Sequence, residues 1–140
     1  MQKKRVAIAD DHKLLRDTIK SLINATEGMK VVGEAADGVS AVEMVRRVLP
    51  DLLLLDVSLP KLSGISVLKN LKEELPDVKI IMLTMHESDE YIAEFLNAGA
   101  DGYCLKDAGW KELVAAMDTV LAGETYVSSA HSPPAEQDAS

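Results

Sequence analysis

Asp51-Leu52-Leu53-Leu54-Leu55-Asp56 sets four successive leucines between two carboxylates. Four leucines in a row show no alternation, so neither face of the segment is polar. Such a run reads as a strand buried on both faces, the mark of a central strand in a parallel sheet. Pro50 before it and Pro60 after it leave too little room for a typical helix. The strand ends on Asp56, followed by the loop Val57-Ser58-Leu59-Pro60-Lys61-Leu62-Ser63-Gly64. In open α/β sheets, chemistry sits in the crevice beyond the carboxyl ends of the strands. Asp56 therefore stands where a reactive group would.

On the amino-terminal side, Arg5-Val6-Ala7-Ile8-Ala9 reads as a first strand ending in Asp10-Asp11. Leu15, Ile19, Leu22 and Ile23 at helical spacing predict a first helix, closed by Gly28. Val31–Ala35 is a weaker second strand that ends without a reactive group. Asp37-Gly38 starts a second helix striped by Val42, Val45 and Leu49 and stopped by Pro50.

Beyond the leucine strand, Gly64 opens a third helix with Ile65, Leu68, Leu71 and Leu75 inward, and Pro76-Asp77 breaks it. Val78 to Leu83 is a fourth buried strand ending on Thr84. Ser88 is placed to cap a fourth helix, with Asp89 and Glu90 in its first turn. Its inward residues are Ile92, Phe95 and Leu96, and Gly99 ends it. Gly102-Tyr103-Cys104-Leu105 is a fifth strand ending on Lys106. Trp110, Leu113, Val114, Met117 and Leu121 mark a last helix, stopped by Gly123. Strand and helix alternate five times, which predicts a parallel sheet covered by helices on both faces. Residues 1–127 are expected to form one domain. Residues 128–140, rich in Ser, Ala, Pro and acidic residues, have linker composition.

Bulk properties narrow the function. The chain has 140 residues, 47% hydrophobic and 27% charged, enough for one ordinary core. A formal net charge of -8 argues against binding nucleic acid or an anionic membrane through the overall field. No apolar run approaches a membrane span, and no signal-peptide stretch follows the basic start. The single cysteine, Cys104, allows no internal disulfide. A cytoplasmic location is the simple expectation.

Parallel strands bring their carboxyl ends to one edge. Asp10, Asp11, Asp56, Thr84 and Lys106 would then share a crevice. Two carboxylates about 4 Å apart repel by about 4 kcal/mol at an effective dielectric near 20. Such a cluster protonates or recruits a divalent cation, and a hard ion with few protein carboxylates suits Mg²⁺. Cation, lysine and hydroxyl together form a phosphoryl-binding set. Singly, each has a plainer reading: Asp10 and Asp11 as helix caps, Asp56 as a turn residue, Thr84 as structural, Lys106 as a solvated charge. The coincidence of four strand ends favours the site. His12 and His86 are not expected to ligate a hard ion. His86 could still touch a phosphoryl group or its attacking water.

Asp10-Asp11, Leu54-Leu55-Asp56, Leu59-Pro60-Lys61-Leu62-Ser63-Gly64, Leu83-Thr84 and Gly99-Ala100-Asp101-Gly102-Tyr103-Cys104-Leu105-Lys106 resemble the receiver domain of two-component response regulators, over roughly residues 4 to 125. The resemblance implies a flavodoxin-like (βα)5 fold with strand order 2-1-3-4-5. Leu83-Thr84-Met85-His86 and Gly102-Tyr103-Cys104-Leu105-Lys106-Asp107 are most similar to the NarL/FixJ group. Members of that group usually carry a LuxR-type helix-turn-helix after the receiver. None is recognisable here, and the tail resembles the interdomain linker, which favours an excised receiver over a stand-alone regulator.

The resemblance further implies that Asp56 takes a phosphoryl group from a phosphohistidine on a sensor histidine kinase. Asp11, Asp56 and the Ser58 backbone carbonyl would ligate Mg²⁺, with Asp10 acting through a bound water. Lys106 and Thr84 would hold phosphoryl oxygens, and Tyr103 would rotate inward as a switch. DNA would be bound only through the absent carboxyl-terminal domain, and a phosphorylation-dependent homodimer is expected by analogy.

Two departures bear on this picture. Asp107 follows Lys106 where many receivers have proline, which leaves the isomer of that peptide bond open. Met85 follows Thr84 where smaller residues are usual; it either narrows access to Asp56 or simply packs. Two other classes compete. An Asp-nucleophile phosphohydrolase would carry a second Asp two residues after the nucleophile, but Ser58 stands there, so external-substrate turnover is not expected. A flavin or nucleotide module would need a glycine-rich loop after the first strand, where Asp10-Asp11 stands instead.

Overall fold

The computed structural model describes residues 3–85 and 89–127, with the backbone alone at 89–91. The expected Ser88 cap, the first-turn side chains Asp89 and Glu90, His86 and the linker at 128–140 lie outside the described residues and side chains.

The chain alternates strand and helix. In order come β1 (Lys4–Ala9), α1 (Lys13–Asn24), β2 (Met29–Ala35), α2 (Gly38–Val48), β3 (Leu52–Asp56) and α3 (Gly64–Glu74). There follow β4 (Lys79–Thr84), α4 (Asp89–Asn97), β5 (Gly102–Leu105), α5 (Trp110–Leu121) and β6 (Tyr126–Val127). The strands form one sheet in the order β2-β1-β3-β4-β5-β6, every neighbour pair parallel. This is a flavodoxin-like parallel architecture with one strand more than the five expected.

The leucine run explains the layering. All of Leu52 to Leu55 are fully buried. Successive strand side chains point to opposite faces. Leu53 and Leu55 join Ala7, Ile80 and Met82 in a core closed by α2, α3 and Phe95 of α4. Leu52 and Leu54 join Val6, Ile8 and Ile81 in a second core closed by α1 and α5. One apolar string therefore feeds two cores.

The helices are entered and left as the local chemistry directs. Asp37 caps α2, accepting the Ser40 N–H at 2.8 Å, and Ser63 caps α3, accepting the Ser66 N–H at 3.3 Å. The expected α2 stripe fails at one position: Leu49 is 53% exposed. It is the C-cap residue, at φ 48°, and the left-handed turn swings it off the helix face. Gly28 closes the turn after α1 rather than the helix itself, which ends at Asn24. None of the described peptide bonds is cis, Lys106–Asp107 included.

The sixth strand corrects the five-strand expectation. Gly123, at φ 95°, turns the chain after α5, and Tyr126 and Val127 then pair with Gly102 and Tyr103. Tyr126 Oη donates to Glu112 Oε1 on α5 at 2.9 Å, which pins the segment. Two residues carry no readable period. The pairing exists because it covers the edge that buried β5 would otherwise present. No helix among the described residues is long and apolar enough to cross a membrane.

Leu53→Ala should lower stability by about 2–5 kcal/mol, the usual cost of truncating a closed-packed leucine. Urea denaturation measures it. A loss below about 1 kcal/mol would contradict the double-sided burial of β3.

Candidate functional site

The site sits beyond the carboxyl ends of β1, β3, β4 and β5, where the connections turn to opposite sides of the sheet. Backbone bonds align these ends. Asp10 N–H donates to Ala35 O at 3.0 Å, Val57 N–H to Leu83 O at 3.0 Å, and Lys106 N–H to Thr84 O at 2.8 Å. Asp10, Asp56 and Thr84 are all buried, at 0%, 1% and 2% exposure. Asp11 stands at the rim and is exposed.

Lys106 closes the constellation. Its Nζ lies 3.0 Å from Asp10 Oδ2 and 3.1 Å from Asp56 Oδ2, and its side chain is only 6% exposed. The solvated-charge reading of Lys106 therefore fails. Asp10 and Asp11 are not helix caps either. The N-cap of α1 is His12, and no side chain caps that helix. Asp10 Oδ1 instead accepts the His12 N–H at 2.8 Å, an Asx-type bond that turns the carboxylate into the crevice.

Asp56 is held by its own loop. Ser58 N–H donates to Asp56 Oδ1 at 3.0 Å. The loop returns through Gly64, whose N–H donates to Val57 O at 3.0 Å. A Cβ on Gly64 would press on the Asp56 carbonyl oxygen and lie 2.7 Å from Val57 Cα, so the close approach requires glycine. Burial pushes the Asp56 carboxyl above its ordinary pKa. The Ser58 N–H opposes this, the Asp10 charge adds to it, and Lys106 opposes it again.

The donor set fits a hard divalent cation. Asp10, Asp11, His12 and Asp56 each offer a ligand atom, all within 4.8 Å of one another. Asp10 Oδ2 and Asp56 Oδ2 are buried without a hydrogen-bond partner among the described residues. Lys106 reaches both as an ionic contact, at 3.0 and 3.1 Å. Three carboxylates against one ammonium leave an excess of negative charge that one divalent ion would offset.

Tyr103 is fully buried, stacked on Phe95 with ring centroids 6.0 Å apart and planes at 26°. It occupies the inward position in this structure. Met85 does not pack into the core: it is 62% exposed and shares an open pocket with His12, Leu14 and Lys106. Cys104 is buried as expected, and burial pushes its thiol up to about 12. Trp110 is partly buried against the α1 and α5 core, in keeping with a packing role.

One group near the site carries no local signal in the sequence. Arg16 Nη1 donates to the Asp10 carbonyl at 2.6 Å, and its Nε donates to Glu34 Oε1 at 2.9 Å. Lys20 and Arg16 together hold the Glu34 carboxyl below the usual range. This bracket ties the end of β1 to α1 and β2. His12, next to the acidic pair in sequence, also stands against it. Its Nδ1 lies 3.0 Å from Asp10 Oδ1 and 3.3 Å from Asp11 Oδ1.

The raised Asp56 pKa has a sign that can be tested. A carboxyl raised on folding stabilises the fold only while protonated, so its ionisation costs stability as pH rises through the folded value. In metal-free buffer at neutral pH, Asp56→Asn should melt above the wild type. The gain should vanish as pH falls below the ordinary carboxyl range. Thermal denaturation across pH checks it, and equal melting temperatures at neutral pH would contradict the electrostatic account of the pocket.

Comparison with known proteins agrees with this geometry. The family described as response regulator receiver domain matches residues 6–118. The chain is 40% identical over 125 residues to the transcriptional regulatory protein MctR of Rhizobium johnstonii, covering 89% of this chain and 58% of MctR. It is 43% identical over 124 residues to the oxygen regulatory protein NreC of Staphylococcus epidermidis, covering 88% of this chain and 57% of NreC. The chain thus spans somewhat more than half the length of these curated relatives. Among solved structures, a two-component response regulator of the LuxR family from Aurantimonas sp. SI85-9A1 superimposes with a TM-score of 0.86 at 30% identity, covering 99% of this chain and 100% of that one. The non-phosphorylated receiver domain of the stress response regulator RcsB from Escherichia coli gives 0.83 at 27% identity, covering 90% and 98%. Sheet order, converging acidic residues and the extent of the family match lead to one assignment: the chain belongs to the response regulator receiver domain family.

Proposed function

We propose that Asp56 is the phospho-acceptor of this receiver and takes its phosphoryl group from a phosphohistidine on a sensor histidine kinase. The observation that carries the reading is Lys106 Nζ, buried between Asp10 Oδ2 and Asp56 Oδ2 at 3.0 and 3.1 Å. A buried ammonium touching the acceptor carboxylate is placed to meet a phosphoryl oxygen once the group is added. Thr84, buried at the end of the neighbouring strand, is assigned a second phosphoryl oxygen.

Asp11 and Asp56, with the Ser58 backbone carbonyl, are assigned to Mg²⁺, and Asp10 to a water on it. When bound, Mg²⁺ neutralises phosphoryl oxygens and favours the ionised acceptor. The protein's own residues do the rest. Ser58 N–H orients Asp56, and Lys106 balances the charge that the phosphoryl group adds, roughly −1 to −2. Ser58, two residues after the acceptor, supplies no general acid, so the reading is a switch and not a turnover enzyme.

Tyr103 is assigned to the switch with Thr84. Its inward ring, stacked on Phe95 of α4, couples β5 to that helix. We read residues 1–127 as the receiver and 128–140 as a linker. The output is transcriptional control through a LuxR-type DNA-binding domain beyond it. The names of MctR and the LuxR-family structure support that output. A phosphorylation-dependent homodimer is part of the same reading, as is a cytoplasmic location.

Incubation with Mg²⁺ and acetyl phosphate should add one base-labile phosphate per chain, seen by mass spectrometry and abolished in Asp56→Asn. A label that survives the substitution would reject Asp56 as acceptor. Lys106→Ala should still accept phosphate but no longer change its self-association. Light scattering measures this, and a normal phosphate-driven change would remove Lys106 from the switch.

A further inference from the structure

Arg16 sits in a place that disfavours a cation. It lies in the first turn of α1, which holds no acidic residue, and the positive end of the helix dipole opposes its charge there. Its side chain is nevertheless only 13% exposed, and a buried guanidinium needs partners. Both partners lie outside the helix. Nη1 donates to the Asp10 carbonyl at 2.6 Å, and Nε donates to Glu34 Oε1 at 2.9 Å. A planar fork of donors reaches two such acceptors at once, which a single ammonium does not.

The bond to Asp10 completes a frame. The Asp10 N–H already donates to Ala35 O at the end of β2, at 3.0 Å. With Arg16 on its carbonyl, both main-chain groups of Asp10 are tied to other elements. His12 N–H then fixes the carboxylate through Oδ1 at 2.8 Å. The Asp10 carbonyl and the Asp11 nitrogen share one planar peptide, so the bond that holds the first also sets the direction in which Asp11 leaves β1. Glu34 steadies the guanidinium in turn. It lies beside Ala35 on β2, opposite Ile8 in the register, and its second oxygen accepts from Lys20 Nζ at 2.8 Å.

We infer that Arg16 is a positioning residue for the acceptor site, acting through the Asp10 carbonyl to set the Asp10–Asp11 corner, with Glu34 as the group that orients it. The inference rests on the assignment of those two acids to Mg²⁺ and deepens it. Arg16 supplies no ligand. Its contact is with main chain, so it fixes direction where the carboxylates supply charge. An ion that demands near-ideal octahedral geometry tolerates little error in that direction. The sheet alone does not enforce it, because Asp10 and Asp11 lie past Ala9, the last residue of β1 paired with β2 and β3.

Calorimetric titration of the whole chain with MgCl₂ tests it. Groups that only support metal ligands contribute about tenfold or more in affinity, so the Mg²⁺ Kd of Arg16→Met should rise by at least that factor. Glu34→Gln should shift it in the same direction by a smaller factor. Lys20→Met is the control for a purely structural part: it removes the other α1 cation on Glu34 without touching Asp10, and its Kd should match that of the wild type. An unchanged Kd in Arg16→Met overturns the inference. So does an equal rise in Arg16→Met and Lys20→Met, which would make the bracket a tie between α1 and β2 and nothing more. Should Arg16→Met fail to fold, Glu34→Gln decides, and an unchanged Kd there overturns the inference. A wild type that binds no Mg²⁺ removes the metal assignment itself, whereas the other failures leave that assignment standing.

Discussion

The structure is organised by a carboxylate kept where water barely reaches. Asp56 closes a strand whose four leucines are sealed on both faces, so its charge cannot be hydrated from the side. Isolated burial of that charge would be prohibitive. Ser58 N–H and the Lys106 ammonium offset part of the cost, and Asp10 adds to it. The balance leaves a basic carboxylate beside a cation and an uncompensated negative charge. That combination is poorly suited to stabilising a fold and well suited to accepting a cationic metal and an electrophilic phosphorus.

Topology is what makes the balance attainable. Lys106 and Asp10 are remote in sequence, yet parallel strands in the order β2-β1-β3-β4-β5-β6 bring their ends to one rim. The reversal of crossover direction between β1 and β3 opens the crevice in which both acids stand. Backbone bonds between strand ends, such as Lys106 N–H to Thr84 O, set the ends level. Charge placement therefore depends on sheet register, and register depends on the two apolar cores that β3 divides. A slip of one residue would exchange Leu53 for Leu54 between cores and turn Asp56 to the other face.

Toward the β6 edge of the sheet, β5 is packed and paired on both sides. Tyr103 packs inward on Phe95, and Val127 pairs with Tyr103 along β5. β5 thus touches α4 through Phe95 and pairs with β6. Lys106 N–H bonds to Thr84 O, so the ends of β4 and β5 are joined to these packed elements.

The sequence by itself determined the fold class, because unbroken apolar runs at Leu52–Leu55 and Ile80–Leu83 admit little else than buried parallel strands between helices. It also picked out the residues that gather at one rim, because Asp10, Asp11, Asp56, Thr84 and Lys106 each stand at the carboxyl end of a strand. Only the tertiary structure decided the rest. It set how deeply Lys106 is buried, since exposure is a property of neighbours and not of residue type. It moved Leu49 out of the core, because a left-handed C-cap redirects a side chain that helical period would bury. It added β6, because two residues have no period and are held by an edge that only the assembled sheet presents. Arg16 and Glu34 entered the site's surroundings for the same reason: they meet across elements, and no local pattern encodes a contact made through space.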